Sequence, residues 1–338
     1  MINLKILVLG KNISVKDSMD YINIVVPMIE LGHSITTYDL VVDNENNTIN
    51  IEELCKNIQF DLIFIIPVED ELDLLYINEL SKRFDTLVFF YDDTWRINYS
   101  KEWSKVVNYV VTSDINWKIN LNEHADKIIY SPFFVNTNVY KPINEDTKKY
   151  DVTFVGQYHP SREWVVNLIK KSGVDVKVFG KGWYDGSEIS HKEMIQIFNQ
   201  SRINLNLSNC INYDIRHLLD FNNNKFISLL KSYKLIFKSL YMKDMKIFEM
   251  VKARFFEINA CQGFQISFYA QGLEHQFSLG EELEIFENTK QLINKIHFYL
   301  KEEEIRCQIA KNGYEKCIKN HDSKIRLNSI FSKIKFEN

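Results

Sequence analysis

The sequence predicts an α/β fold built from two doubly wound, Rossmann-like domains. Short apolar runs of strand length alternate with segments of helical periodicity along most of the 338 residues. The alternation stops near residues 141–150, where a charged run follows Pro142, and it restarts at residue 151. Alternating strands and helices are typical of a parallel sheet covered by helices on both faces, and the interruption indicates two such sheets.

The first half opens with residues 5–9, a continuous apolar run that ends at Gly10, as expected of a strand buried on both faces. A helical pattern over 18–31 follows, in which Pro27 should kink the helix or mark its start. The same rhythm predicts strands at 33–39, 61–66, 86–91, 108–112 and 127–130, and helices at 51–57, 70–83 and 101–106.

The second half begins with a strand at 151–156 that ends in Gly156. Ser190 and Glu193 have the capping-box spacing that opens a helix to residue 200. Further strands are predicted at 174–179, 203–208, 264–267 and 283–286, and helices at 162–171, 290–300, 305–321 and 325–336. The Asn- and Lys-rich stretch 210–246 is helical by pattern, but it has no clear place in the fold.

We therefore expect a first domain over 1–140, a linker over 141–150 and a second domain over 151–320. A final helix over 321–338 can cross back to the first domain.

Composition excludes several classes of protein. The formal net charge is -4 with 41 basic residues dispersed along the chain, so a nucleic-acid partner is not expected. Five widely spaced cysteines without a CxxC motif favour a reducing, cytoplasmic compartment, and no apolar run reaches the roughly 18 residues of a spanning helix. The first strand-to-helix turn has only Gly10 and no GxGxxG, so an NAD site is not expected.

The stretch 252–267 gathers charged residues at a predicted helix start. Arg254 and Glu257 stand at i and i+3, so they share a helix face, and Lys252 precedes them. The free N–H groups of a first helical turn favour an anion. The arrangement suits a diphosphate held by Arg254 and a sugar diol held by Glu257; an ordinary i,i+3 ion pair is the alternative.

A series of motifs gives these residues a context. The series runs through 152–156, Arg162, 178–183, 203–208, Lys252-x-Arg254-x-Phe256-Glu257, 280–282, His321 and Arg326. In order and spacing it resembles the GT-B glycosyltransferases of the CgeB, or spore-maturation, type, which are similar to retaining nucleotide-sugar transferases. The resemblance implies a GT-B fold, in which two Rossmann-like domains face each other across a cleft. It also implies a nucleotide diphosphate-sugar donor on the second domain, most simply a UDP-sugar, with no metal site.

The resemblance and the strand-end positions together give a set of candidate donor-binding residues: Glu257, Lys252, Arg162, Gly156, His159, Gly182, Trp183, Asn206, Ser208 and Asn209. Arg254 would stabilise the leaving diphosphate. Glu249 stands eight residues before Glu257, the spacing of many retaining enzymes, and would contact the donor sugar; a surface position is the alternative. The chain departs from the family at Phe268, where an acidic residue is common, and at Gln262, where a glycine is common and the larger side chain could narrow the phosphate approach.

In the first domain, Asp92 and Asp93 follow a predicted strand, where a carboxylate could orient or deprotonate an acceptor hydroxyl. A role as turn residues is the alternative. The resemblance thus implies a glycosyltransferase that acts on a hydroxyl of a surface protein or polysaccharide with retention of configuration. A nucleotide-sugar epimerase and a non-catalytic nucleotide-sugar-binding protein remain open, as does the oligomeric state.

Overall fold

A computed structural model describes residues 3–40, 47–91, 93–143, 148–183, 188–210, 215–218, 220, 230–231, 233–234, 237 and 249–336. The chain forms two compact units. Unit 1 comprises Met1–Asn136 together with His321–Asn338, and unit 2 comprises Thr137–Asn320.

Unit 1 is built on a parallel sheet in the order β2-β1-β3-β4-β5-β6. Its strands are β1 (Lys5–Gly10), β2 (Ser34–Asp39), β3 (Leu62–Ile66), β4 (Thr86–Phe89), β5 (Tyr109–Thr112) and β6 (Ile128–Tyr130). Every residue of β3 and β4 is buried, as the unbroken apolar runs predict for a sheet covered on both faces.

The helices of unit 1 cover both faces of this sheet. They are α1 (Val26–Glu30), α2 (Asn47–Asn57), α3 (Leu74–Leu80), α4 (Ile97–Val106) and α5 (Trp117–Asn120). Helix α1 continues a π-helical turn, Tyr21–Val25, and Pro27 lies in its first turn, where a missing N–H costs nothing. Helix α3 is shorter than the predicted 70–83 because Asp73 caps it by accepting from the Leu75 N–H at 3.0 Å.

Unit 2 repeats the plan with the parallel order β11-β10-β9-β7-β8. Its strands are β7 (Tyr150–Val155), β8 (Val176–Phe179), β9 (Ser201–Asn206), β10 (Gln265–Phe268) and β11 (Glu284–Phe286). Its helices are α6 (Pro160–Lys171), α7 (His191–Gln200), α8 (Ala253–Ala260), α9 (Thr289–Lys301) and α10 (Glu303–Lys316). The predicted capping box of Ser190 and Glu193 opens α7.

The last helix, α11 (Ser323–Phe331), belongs to unit 1. Leu327, Ile330 and Phe331 are buried in the same apolar cluster as Ile6 and Phe64 of the sheet. The two sheets confirm the predicted α/β architecture of two doubly wound halves. In each half the first and third strands are neighbours, and the chain leaves them toward opposite edges of the sheet. The crevice beyond the carboxyl ends of these two strands, the switch point of the sheet, is therefore the expected ligand site.

Candidate functional site

A cavity of about 520 Å³ lies at this switch point of unit 2. Its walls come from the segment after β7, from Asn209 beyond the end of β9, and from two lysines of the stretch between β9 and α8: Gln157, Tyr158, His159, Pro160, Arg162, Asn209, Lys231 and Lys234. Of the predicted donor-binding residues, His159, Arg162 and Asn209 line the cavity. Among the described residues, the lining has three cationic side chains and no carboxylate, so this part of the wall favours an anionic ligand.

Glycines and one tryptophan hold the loop that forms the cavity wall. Gly180 has φ +121°, and a Cβ there would stand 2.6 Å from the Gly156 carbonyl oxygen. Gly182 has φ +89°, with a Cβ position 3.1 Å from the Tyr158 Cβ. The Trp183 indole N–H donates to the Gly156 carbonyl at 2.8 Å, and its ring meets Tyr158 edge-on. Gly182 and Trp183 thus shape the loop from behind, and neither is part of the cavity lining.

The amino end of helix α6 opens onto the cavity. His159 is its N-cap, and the ring Nδ1 accepts from the Ser161 backbone N–H at 3.3 Å. Because Nδ1 is the acceptor, the neutral ring carries its proton on Nε2. Pro160 is the first residue of the helix and has no backbone N–H. The free backbone N–H groups of the next residues in the first turn can bind the His159 cap or an anionic ligand.

Arg162 lines the cavity, but most of its donors serve the fold. Its Nε donates to the carbonyls of Leu207 at 3.0 Å and Ser208 at 3.2 Å, one terminal nitrogen donates to Leu207 at 2.8 Å, and the other donates to Gln157 at 2.8 Å. Burial lowers the pKa of Arg162 to about 10, against the opposing effect of Glu249, so the group stays cationic at neutral pH. Arg162 therefore ties the loop after β7 to the end of β9.

Behind the cavity, Glu249 organises the turn that follows β9. One carboxylate oxygen accepts from the Ser208 hydroxyl and from the backbone N–H groups of Asn209 at 3.2 Å and Cys210 at 3.1 Å. The other oxygen pairs with Lys252 Nζ at 2.9 Å, and this lysine also donates to the Asn209 side chain at 3.0 Å. The structure thus brings the predicted residues Ser208, Asn209, Glu249 and Lys252 together, with Lys252 committed to its neighbours.

Arg254 and Glu257 form an ion pair, with nitrogen and oxygen 2.6 Å apart. The Glu257 side chain is 6% exposed and that of Arg254 is 25% exposed, so the pair is largely buried and does not lie on open surface. The Arg254 guanidinium also lies over the Phe198 ring and contacts the Met194 sulfur, both on α7. This pair is outside the cavity lining.

Three further positions lie along the same strands. Asn206 ends β9, and its buried Nδ2 has no hydrogen-bond partner within the described part of the chain. Phe268 ends β10, buried beneath Lys252. Gln262 has φ +52° and lies between the end of α8 and the start of β10. It is therefore at the amino ends of the strands, whereas the cavity is at their carboxyl ends. Gln262 is not among the residues that line the cavity, so it does not narrow the approach to that cavity.

Unit 1 has its own cavity, about 220 Å³, at the corresponding switch point. Its lining includes Asp20, Tyr91, Asp93, Arg96, Tyr99 and Ser100. Asp20 accepts from the Tyr91 hydroxyl at 2.7 Å. Asp92 lies outside the described residues.

Asp93 is 1% exposed and accepts hydrogen bonds from the hydroxyls of Thr112 and Ser113, at the end of the neighbouring strand β5. Burial raises the pKa of Asp93 to about 7, although the two hydroxyls lower it. The buried Ser100 hydroxyl has no partner among the described residues. The cavity thus combines a carboxyl group that titrates near neutrality with an unused hydroxyl, a combination suited to a substrate hydroxyl.

Sequence reasoning missed Lys231, Lys234 and the Asp20–Tyr91 pair. The lysines come from the stretch that has no clear place in the pattern, and Asp20 pairs with a residue 71 positions away. Within the described ranges, no group of three or more His, Cys, Asp or Glu side chains could hold a metal ion. Among the helices described, none is long and apolar enough to cross a membrane.

Comparison with known proteins places these features in a family. The glycosyl transferase-like family matches residues 160–332, about half of the chain. No curated protein matches the sequence. Three solved structures share the two-unit GT-B fold across nearly their whole length. A glycosyltransferase from Rickettsia africae has a TM-score of 0.65 at 13% identity and covers 98% of each chain. Sucrose-phosphate synthase from Thermosynechococcus elongatus has a TM-score of 0.62 at 9% identity and covers 97% of this chain and 98% of its own.

The third is Anabaena HepE in complex with UDP-glucose, with a TM-score of 0.63 at 11% identity, covering 98% of this chain and 99% of its own. These likenesses confirm the predicted GT-B fold, and the family match confirms the predicted enzyme class. The chain belongs to the glycosyl transferase-like family and is a GT-B glycosyltransferase.

Proposed function

We propose that this enzyme transfers a sugar from a nucleotide diphosphate-sugar, most simply a UDP-sugar, to an acceptor hydroxyl. The observation that carries the proposal is the cavity of unit 2, which lies at the switch point beside the amino end of α6 and has Arg162, Lys231 and Lys234 in its wall. A helix amino end and several cations suit a diphosphate. HepE, which has a similar fold, was solved with UDP-glucose, and this supports the choice of donor.

In the proposed reaction the acceptor oxygen bonds to the anomeric carbon, and the bond from that carbon to the diphosphate oxygen breaks. The bonding electrons stay on the diphosphate, and the acceptor proton moves to a base. Asp93 is our candidate for holding the acceptor hydroxyl, because its pKa of about 7 leaves a useful fraction ionised at neutral pH. We also propose retention of configuration, in which the donor phosphate can itself take the proton; the resemblance to CgeB-type enzymes supports this part of the proposal.

We keep Glu257 as the candidate ribose contact and Arg254 as a candidate diphosphate contact. Both roles require the ion pair between them to open when the donor binds. Glu249, with Lys252, is better suited to hold the turn at Ser208 and Asn209 than to contact the sugar, because its carboxylate already accepts three donors besides the lysine. The absence of a resident metal, the class of the acceptor and the cytoplasmic location stay predictions.

A thermal-shift panel of UDP, GDP, CDP, ADP and their sugar conjugates tests the proposal. A nucleotide present at 100 times its dissociation constant should stabilise the enzyme by about 2.7 kcal/mol. UDP and one UDP-sugar should give the largest shifts. Absence of any nucleotide-dependent shift at millimolar concentrations would contradict the donor assignment.

Donor hydrolysis by the pure enzyme, compared with the Arg254→Ala variant, then tests the ion pair. A loss of hydrolysis with folding unchanged supports a role of Arg254 in the reaction, whereas equal turnover removes it. Release of a free sugar epimer without any acceptor would favour the epimerase reading, and nucleotide binding without turnover would favour the non-catalytic one.

A further inference from the structure

The cations that the sequence offers for the diphosphate are already engaged. Arg162 donates to three backbone carbonyls, Lys252 bridges Glu249 and the Asn209 side chain, and Arg254 pairs with Glu257. Opening these contacts would leave buried carbonyl or carboxylate groups without partners, which is costly. The cavity therefore needs other cations to neutralise a diphosphate fully.

Lys231 and Lys234 meet that need. Both are exposed helical residues that line the cavity, and their i,i+3 spacing places them on one side of the helix. Lys231 Nζ lies 4.8 Å from the centre of the Tyr158 ring, and Tyr158 lines the same cavity on the loop after β7. Within the described part of the chain neither lysine forms an ion pair with a carboxylate.

We propose that Lys231 and Lys234 bind the diphosphate of the donor and stabilise it as it leaves. The inference rests on the proposed donor and adds the residues that neutralise it. As the bond between the anomeric carbon and the diphosphate breaks, the negative charge on the leaving oxygens increases. Two ammonium groups held at the cavity wall then interact more strongly with the transition state than with the bound donor. Long flexible side chains let both ammonium groups follow the departing group.

Four variants isolate this role. The Lys231→Met/Lys234→Met double variant removes both charges and keeps the length of each side chain, and the Lys231→Arg/Lys234→Arg variant keeps the charges. The Lys301→Met variant is the matched control, because Lys301 is exposed on α9 of the same unit and is not part of the cavity lining. The Lys231→Met single variant measures how much Lys231 contributes to diphosphate affinity. Melting temperatures should be unchanged in all four, since each side chain is exposed.

Calorimetric titration with UDP, inorganic pyrophosphate and uridine gives the readout. We expect affinity for UDP and pyrophosphate to fall about tenfold for each lysine removed, and about 100-fold in the double Met variant, because each lysine contributes one charge-assisted hydrogen bond. Affinity for uridine should stay constant, the Arg variant should bind like the unmodified enzyme, and kcat of donor hydrolysis should fall in the double Met variant.

The outcomes separate this inference from the proposed function. If the unmodified enzyme binds UDP and the double Met variant binds it within twofold, the lysine assignment is wrong and the donor assignment stands. An equal loss of uridine and UDP affinity would also overturn it, since the lysines would then act on something other than phosphate. If the unmodified enzyme binds neither a nucleoside diphosphate nor pyrophosphate, both proposals fail.

Discussion

Asp93 gives the sharpest test of unit 1, because a single substitution changes both stability and activity in a pH-dependent way. The Asp93→Asn variant keeps the size of the side chain and can still bond to the hydroxyls of Thr112 and Ser113. It removes the one feature that burial penalises, the negative charge.

The sign and size of the effect follow from the pKa of Asp93. This pKa rises from 3.8 in a model carboxyl to about 7 in the fold, so between pH 4 and pH 7 the folded state binds more protons than the unfolded state. The contribution of Asp93 to the free energy of unfolding must therefore fall as the pH rises through this window and be lowest above pH 7. Raising the pKa of a carboxyl from 3.8 to about 7 corresponds to about 4 kcal/mol.

Urea denaturation of both proteins at pH 4.0, 5.5, 7.0 and 8.0 measures this effect. The free energy of unfolding of Asp93→Asn minus that of the unmodified enzyme should increase by about 4 kcal/mol from pH 4 to pH 8. Taking the difference cancels the titration of other groups, including Asp20, whose pKa burial also raises. A difference that stays constant with pH would show that burial does not raise the pKa of Asp93 and that the carboxylate is already ionised in the fold at acidic pH.

The same carboxyl should also control activity. If Asp93 takes the proton of the acceptor hydroxyl, the rate of transfer should rise with pH with an apparent pKa near 7. The Asp93→Asn variant should lose this rise and have a kcat lower by about 10²–10⁴-fold. An unchanged pH–rate profile in the variant would leave Asp93 a structural role only.

Three further substitutions test how the fold supports the two cavities, each by urea denaturation. Leu327→Ala should destabilise the enzyme by about 2–5 kcal/mol, because Leu327 is fully buried in the unit 1 core; a loss below 1 kcal/mol would show that α11 packs loosely. Gly182→Ala should cost about 1–2 kcal/mol, since Gly182 has φ +89° and a Cβ there would crowd Tyr158, and it should weaken UDP binding. Gln262→Gly should stabilise the enzyme by up to about 1 kcal/mol by relieving φ +52° at an exposed helix end, with UDP binding unchanged.

The fold was predictable because it depends on local periodicity. Buried parallel strands need continuous apolar runs, and caps such as Ser190 with Glu193 are recognisable from spacing alone. Element ends were less predictable. The predicted helix 305–321 becomes π-helical at Cys317–His321, just before the chain returns to unit 1, and no local signal marks that change.

The candidate site was predictable only in part, because spacing identifies which side chains share a face and not which partners they choose. Arg254 and Glu257 do share a helix face, but they form an ion pair with each other, and Arg254 packs on Phe198 of α7. Asp93 meets Thr112 because their strands are neighbours in the sheet, a relation that strand order decides. Lys231 and Lys234 belong to a stretch with no recognisable strand–helix pattern, so their place in the cavity wall had no local signal.

The two cavities differ in the charged side chains that line them. Both lie at the switch point of a sheet with the same strand order, so topology alone does not distinguish them. The described wall of the unit 2 cavity includes the cations Arg162, Lys231 and Lys234, which suit a substrate that gains negative charge as it departs. The unit 1 cavity holds the partly buried Asp20 and the buried Asp93, whose pKa values are both raised by desolvation, and such groups suit a substrate that must give up a proton. Under the proposed function, this difference between the cavities supports a donor site in unit 2 and an acceptor hydroxyl beside Asp93 in unit 1.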